Sequence, residues 1–295
     1  MTADIARMVP SGDGDRSHIL NLSCTDRPGI VARITTSIAA IGGNIAESAQ
    51  YWDRSTGRFF MRISFTAPAA VGHDVIRGAL QSAIDGFGMA FSLTDGDRVP
   101  RILVLVSRFD HCLLHLLYQI RVGWLRAEVA GIVSNHEHSR LTAEQHGVPF
   151  HHLPVTLDNK AEQEARIMAL YRETGADLVV LARYMQVLSN AFSTELSGHV
   201  INIHHSFLPS FKGAKPYHQA YERGVKLIGA TAHYVTPDLD EGPIIEQETE
   251  RVTHALSADD LVAVGRDIEA RVLARGVKLY LERRVLLNHN KTVVF

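Results

Sequence analysis

The chain has 295 residues, of which 46% are hydrophobic and 21% charged, with a formal net charge of −2. Its length suggests two domains, and the near balance of basic and acidic residues excludes the broad cationic field that nucleic acid or an anionic membrane recruits. Only two cysteines are present, with neither metal-ligand spacing nor a disulfide framework, which points to a reducing compartment. Residues 1–16 read as a polar tail without the basic and apolar regions of a secretory leader. No apolar run reaches the roughly 20 residues of a membrane span. These features predict a cytoplasmic protein.

Residues 17–95 read as a first α+β domain. Alternation over 18–24 predicts a strand. Asp26-Arg27-Pro28-Gly29 breaks it and opens a helix, along which Ile30, Ile34, Ile38 and Ile41 form one apolar stripe. Gly42-Gly43-Asn44 ends that helix. Strands at 45–52 and 58–65, separated by Asp53-Arg54-Ser55-Thr56-Gly57, read as a hairpin. A helix over 70–84 and a strand over 88–93 complete a βαββαβ, ferredoxin-like order. Residues 96–100, rich in Gly, Pro and polar side chains, form the predicted linker.

Residues 101–295 read as a second domain. Strands are predicted at 102–106, 128–134, 177–182, 200–204, 227–235 and 244–251. The predicted helices lie at 110–123, 158–174, 189–197, 217–223 and 258–286. Such alternation implies a mostly parallel, Rossmann-like sheet with helices on both faces, whose sites gather at the carboxyl ends of the strands. His204, Asn135-His136 and Ala182-Arg183-Tyr184 fall at such ends.

The densest group of usable side chains is Asn202-Ile203-His204-His205, followed later by Asp238-Leu239-Asp240-Glu241-Gly242. Residues two apart on a strand share a face, so Asn202 and His204 point together while Ile201 and Ile203 point into packing. His205 is expected to face away from His204 if the strand continues. An amide donor, an imidazole and an acidic loop compose a candidate acyl-transfer site. His136, His138, His146, His151 and His152 also cluster, but His136-Glu137-His138 lacks the four-residue spacing of a zinc helix. No metal site is expected, and these histidines read as structural or site-lining.

The first domain resembles the ACT regulatory domains, through Asp26-Arg27-Pro28-Gly29-Ile30-Val31 and Gly42-Gly43-Asn44-Ile45. The resemblance implies pairing into a homo-oligomer and an amino-acid effector, with glycine and methionine as candidates. Asp26, Gly29, Ile30 and Asn44 are the implied effector residues.

The second domain resembles the formyltransferase fold family that handles 10-formyltetrahydrofolate. The hallmarks are Asn202-Ile203-His204, Leu208-Pro209-Ser210-Phe211-Lys212-Gly213 and Asp238-Leu239-Asp240-Glu241-Gly242. The narrower match is to the deformylases of that family, through Gly213-Ala214-Lys215-Pro216-Tyr217, Gly229-Ala230-Thr231-Ala232-His233-Tyr234 and Leu181-Ala182-Arg183-Tyr184-Met185-Gln186-Val187-Leu188. Hydrolysis of 10-formyltetrahydrofolate to tetrahydrofolate and formate is thereby implied. So are a supply of formate for purine synthesis and a balancing of the one-carbon folate pool.

Asn202, His204 and Asp240 match the family's catalytic residues. Arg183, Met185, Val187, Leu188, Thr236 and Asp238 match its folate pocket. The folate is substrate, and no cofactor or metal is implied. Relatives that formylate phosphorylated glycinamide carry a glycine-rich loop after the first strand, where backbone N–H groups hold phosphate. The region here, Val106-Ser107-Arg108-Phe109-Asp110, has no glycine before Gly123, which favours water as acceptor. An amine-directed formyltransferase and a non-catalytic folate or amino-acid sensor remain the alternatives.

Overall fold

The computed structural model describes residues 14–210 and 216–295. Most of the polar tail and the motif residues Phe211, Lys212, Gly213, Ala214 and Lys215 lie outside the described residues. The described residues divide after Arg98: those up to Arg98 form one unit with Val293–Phe295, and those of Val99–Thr292 form the other.

The first unit contains β1 (Asp15–Thr25), α1 (Ile30–Ala40), β2 (Asn44–Asp53), β3 (Arg58–Pro68), α2 (His73–Phe87) and β4 (Ala90–Asp95). Its sheet runs β2-β3-β1-β4, with all pairings antiparallel. The helices seal one face because their apolar residues recur at helical spacing. Ile30, Ile34 and Ile38 of α1, and Ile76 and Leu80 of α2, pack on Leu20, Leu22, Met61 and Ile63. The second helix lies three residues later than periodicity predicts, from Gly72 as N-cap to Gly88 as left-handed C-cap.

The second unit contains β5 (Arg101–Val106), α3 (His111–Arg121), β6 (Glu128–Ser134), α4 (Arg140–Gln145), β7 (Phe150–His152), α5 (Lys160–Glu173) and β8 (Leu178–Leu181). It continues with α6 (Asn190–Glu195), β9 (Val200–His204), α7 (Pro216–Glu222), β10 (Leu227–Tyr234), β11 (Ile244–Arg251) and α8 (Ala258–Leu281). The seven-stranded order is β11-β10-β9-β8-β5-β6-β7. The strands from β9 to β7 are parallel, and β10 is antiparallel to both neighbours.

Period-2 alternation along β5 feeds two cores. Ile102, Val104 and Val106 pack toward α3 and α8, while Leu103 and Leu105 pack toward α5 and α6. The short edge strand β7 and helix α4 were not expected from sequence, because neither is long enough to establish a period. The final helix also ends earlier than 286. After Leu281 the chain turns through Arg283 at φ 57°, and two short strands follow, β12 (Val285–Asn288) and β13 (Lys291–Val294). No helix among the described residues is long and apolar enough to cross a membrane.

Candidate active site

A cleft of about 880 Å³ opens at the carboxyl ends of β8 and β9, where doubly wound sheets place their sites. Asn202 and His204 border it from β9, while Ile201 and Ile203 join the core, Ile203 also touching the cleft. The expected two-residue alternation therefore holds here. His204 is also the last residue of β9, so the alternation stops there. His205 does not turn away: its ring stacks on that of His204, with centroids 5.1 Å apart and planes 21° apart, and it borders the same cleft.

The turn after His205 is pinned by Thr231 of β10, which pairs with His204 in register. The buried Thr231 hydroxyl donates to the Ser206 carbonyl at 2.9 Å and accepts from the Leu208 N–H at 3.0 Å. Gln247 Nε2 donates to it from β11 at 2.9 Å.

Asp240 arrives on the loop between β10 and β11. His204 Nδ1 lies 3.2 Å from its Oδ1. The hydrogen bond from His204 outweighs burial and, with the neighbouring histidines, holds the Asp240 carboxyl below its ordinary value. The residue sits in left-handed backbone, φ 58°, a conformation that Asp tolerates better than most side chains. Gly242 allows this loop to lie against the strand: a Cβ there would sit 1.7 Å from the Tyr234 carbonyl oxygen.

That carbonyl also accepts the Nδ1–H of His233 at 2.9 Å. His233 is a site residue that sequence reasoning missed. It pairs with Asn202 across the antiparallel β9–β10 ladder, and its Nε2 is 3.2 Å from Asn202 Nδ2. With Nδ1 donating to the backbone, Nε2 accepts from the Asn202 amide and so fixes which way that amide faces. The available signal was its place in the His233-Tyr234 segment just before the Asp240 loop.

Burial lowers the His233 pKa despite the bond to Tyr234 and the nearby Asp240. Below 6.5 the unfolded chain binds this proton and the folded chain resists it, so stability falls as pH drops. His233→Gln is expected to reduce the loss of thermal midpoint between pH 7.5 and pH 5.5. Thermal melts at the two pH values check this, and an unchanged difference would assign the acid sensitivity elsewhere.

The expected folate-pocket residues divide. Arg183, Met185, Val187, Leu188 and Thr236 border the cleft. Met185 and Val187 are 53% and 57% exposed, so they present apolar surface to the cleft rather than filling a core. Ser107, at the end of β5, supports this segment. Its N–H donates to the Arg183 carbonyl at 3.3 Å, and its hydroxyl accepts the Met185 N–H at 3.0 Å. Asp238 does not border the cleft. It is exposed, and its backbone carbonyl accepts the Thr236 hydroxyl at 3.0 Å.

Glu269 was also missed. It lies on the buried stripe of α8 with Leu261, Gly265 and Val272, an interruption that helical periodicity could have flagged. Gly265 admits the Tyr217 ring, which a Cβ there would approach to 2.2 Å. The Tyr217 hydroxyl thereby reaches Glu269 Oε1 at 2.8 Å, and His111 Nε2 lies 2.9 Å from Oε2. Among the described residues, His111, Cys112 and Glu269 are the one group of potential metal ligands that converges, within 4.8 Å. The Arg183 guanidinium faces the same carboxylate at 3.4 Å, a cation that opposes a metal ion there. The histidines at 136–152 form no such group and lie off the cleft wall. His152 instead pairs with Glu137 at 2.8 Å.

The residues expected to hold an effector do not form one site within the chain. Ile30 is 2% exposed, in the core of the first unit. Asp26 and Gly29 follow the end of β1, where Thr25 is level with Arg58. Asn44 starts β2 at the other end of the sheet, level with Thr66 and hence with Ser17. A helix entered at Gly29 carries the chain back along the sheet before Asn44.

Comparison with known proteins follows the same lines. The family model described as Formyl transferase matches residues 100–277. A curated relative from Corynebacterium sp. (strain P-1), named formyltetrahydrofolate deformylase, is 48% identical over 278 residues, covering 94% of this chain and 97% of its own. The crystal structure of formyltetrahydrofolate deformylase from Burkholderia mallei has 48% identity and a TM-score of 0.90, covering 95% of this chain and 99% of that one. Glycinamide ribonucleotide transformylase 1 from Symbiobacterium toebii has 30% identity and a TM-score of 0.64, covering 69% of this chain and 98% of that one.

Proposed function

Since the chain belongs to the formyl transferase family, among its formyltetrahydrofolate deformylases, and hydrolyses 10-formyltetrahydrofolate to tetrahydrofolate and formate, we propose that Asn202, His204 and Asp240 carry out the reaction. The observation that carries this assignment is the 3.2 Å link between His204 and Asp240 beside Asn202 on one cleft wall.

The formyl group on the folate nitrogen is an amide, so hydrolysis needs an activated water, a stabilised oxyanion and a proton for the departing nitrogen. The Asn202 amide, oriented by His233, donates to the formyl oxygen as charge develops there. Water attacks the formyl carbon, and its proton passes to the Asp240–His204 pair. The carbon–nitrogen bond then breaks, the pair returns a proton to the folate nitrogen, and formate leaves with one proton released to solvent. Met185, Val187 and Leu188 supply the apolar wall for the folate ring system, and Thr236 adds a polar group to the same cleft.

The first unit is read as an ACT domain on its βαββαβ order, with the loop at Asp26 and Gly29 as the place for an amino-acid effector and pairing of first units as the route to a homo-oligomer. Glycine or methionine is the proposed effector, and formate for purine synthesis the proposed purpose. The two free, buried cysteines agree with a cytoplasmic setting.

The deciding experiment is formate release from 10-formyltetrahydrofolate by the purified full chain with no amine present. Steady release is expected. No release without an amine, but turnover with one, would make this chain a transferase.

A further inference from the structure

We propose that Arg183, clamped by the buried carboxylate of Glu269, selects the acceptor of the formyl group by holding a fixed cation one ring away from His204, where it disfavours an incoming ammonium ion. The inference rests on the hydrolytic reading above and concerns residues that its mechanism does not use.

The Glu269 side chain is 1% exposed and borders the cleft. It accepts hydrogen bonds from His111 Nε2 at 2.9 Å and from the Tyr217 hydroxyl at 2.8 Å, and it forms an ion pair with Arg183, whose Nε lies 3.4 Å away. Burial works against its charge, but the bond from His111 and the Arg183 guanidinium prevail and hold the carboxyl below its ordinary value. Burial and the adjacent carboxylate push the Tyr217 phenol well up, so it remains a donor.

The other end of the Arg183 guanidinium bonds His205 Nδ1. The His205 ring in turn stacks on His204. A fixed cation therefore stands one ring away from the reacting histidine. The Arg183 backbone is in the left-handed region, φ 64°, and Ser107 anchors the following turn through the Arg183 carbonyl and the Met185 N–H. A non-glycine residue kept in that conformation at a cleft wall points to a positional requirement.

The chemistry of the two acceptors differs in charge. The amine of glycinamide is of the α-amino type, with a pKa of about 8, so near neutral pH much of it arrives as an ammonium ion, which an anion would help to dock. Here it meets a guanidinium, while the Asp240 carboxylate is already engaged by His204 and the Glu269 carboxylate by His111 and Tyr217. Water is neutral and meets no such repulsion. In the competing transfer, the ammonium first loses one proton to solvent, the free amine nitrogen bonds to the formyl carbon, the bond to the folate nitrogen breaks, and the second proton the amine loses is matched by the one that nitrogen gains.

The test is the partition of formyl groups between formate and formylglycinamide, with the full chain, 10-formyltetrahydrofolate and saturating glycinamide. Wild type is expected to give formate almost alone. Arg183→Met combined with Glu269→Gln removes both charges and leaves no buried ion unpaired. Its ratio of formylglycinamide to formate should rise at least tenfold. Arg183→Lys, which keeps the cation, should retain the wild-type ratio.

Arg183→Gln gives the same readout should the double variant fail to fold, because it keeps a hydrogen-bonding group between Glu269 and His205. A merely structural role would lower both products together, so an unchanged ratio in a folded variant overturns the proposal. Loss of both products with an unchanged melting curve also overturns it, by assigning Arg183 to hydrolysis itself. If wild type releases no formate, the hydrolytic reading fails first, and the two failures are thereby distinguished.

Discussion

Asp240→Asn is expected to lower kcat for formate release by about 100- to 10,000-fold, the range associated with loss of an acid–base group, while tetrahydrofolate still binds. The substitution is nearly isosteric, and Asn is among the few residues that accept the left-handed backbone found at φ 58°. Its amide oxygen can still accept from His204 Nδ1, which lies 3.2 Å from the native carboxylate. The negative charge is what disappears. At present the His204 bond keeps that charge in place by holding the carboxyl below its ordinary value. Without it, the imidazole loses its counter-ion and the attacking water loses its proton acceptor. Single-turnover kinetics and a fluorescence titration with tetrahydrofolate separate the two quantities. Wild-type turnover in this variant would remove Asp240 from the mechanism.

Asn202→Ala is expected to lower kcat by about 100- to 1,000-fold, the loss typical of one oxyanion donor. It should also lower stability by about 1–3 kcal/mol, because a buried polar group loses its partner. That partner is His233, which is 2% exposed and receives the Asn202 amide at 3.2 Å. The two effects are separable. Pairing Asn202→Ala with His233→Leu removes both polar groups and is expected to recover part of the stability but none of the rate. Thermal melts and steady-state formate assays on the single and double variants check this. A rate that recovers with stability would show that Asn202 acts through folding and not on the formyl oxygen.

The sequence by itself determined the faces of individual elements. Period-2 alternation put Asn202 and His204 on one side of a strand and Ile201 and Ile203 on the other. The spacing of Ile30, Ile34 and Ile38 set the buried stripe of the first helix. Strand–helix alternation from residue 101 onward implied a mostly parallel sheet with its site at the strand ends. These are short-range consequences of backbone geometry, and a side chain's direction relative to its neighbour is fixed once the element forms.

Only the tertiary structure decided which faces meet. Asn202 reaches His233 because β9 and β10 are adjacent and antiparallel, an order that neither strand encodes alone. Glu269 is legible as an acid on an apolar stripe, but its three partners come from a strand end, from α3 and from α7. His205 joins the cleft because pairing stops at His204, where Thr231 captures the turn. Asn44 is separated from Asp26 by the full run of α1 and lies at the opposite end of the sheet. In each case the deciding energy belongs to contacts between segments distant in sequence. Local propensity carries no information about such contacts, and packing settles them only when the whole sheet has formed.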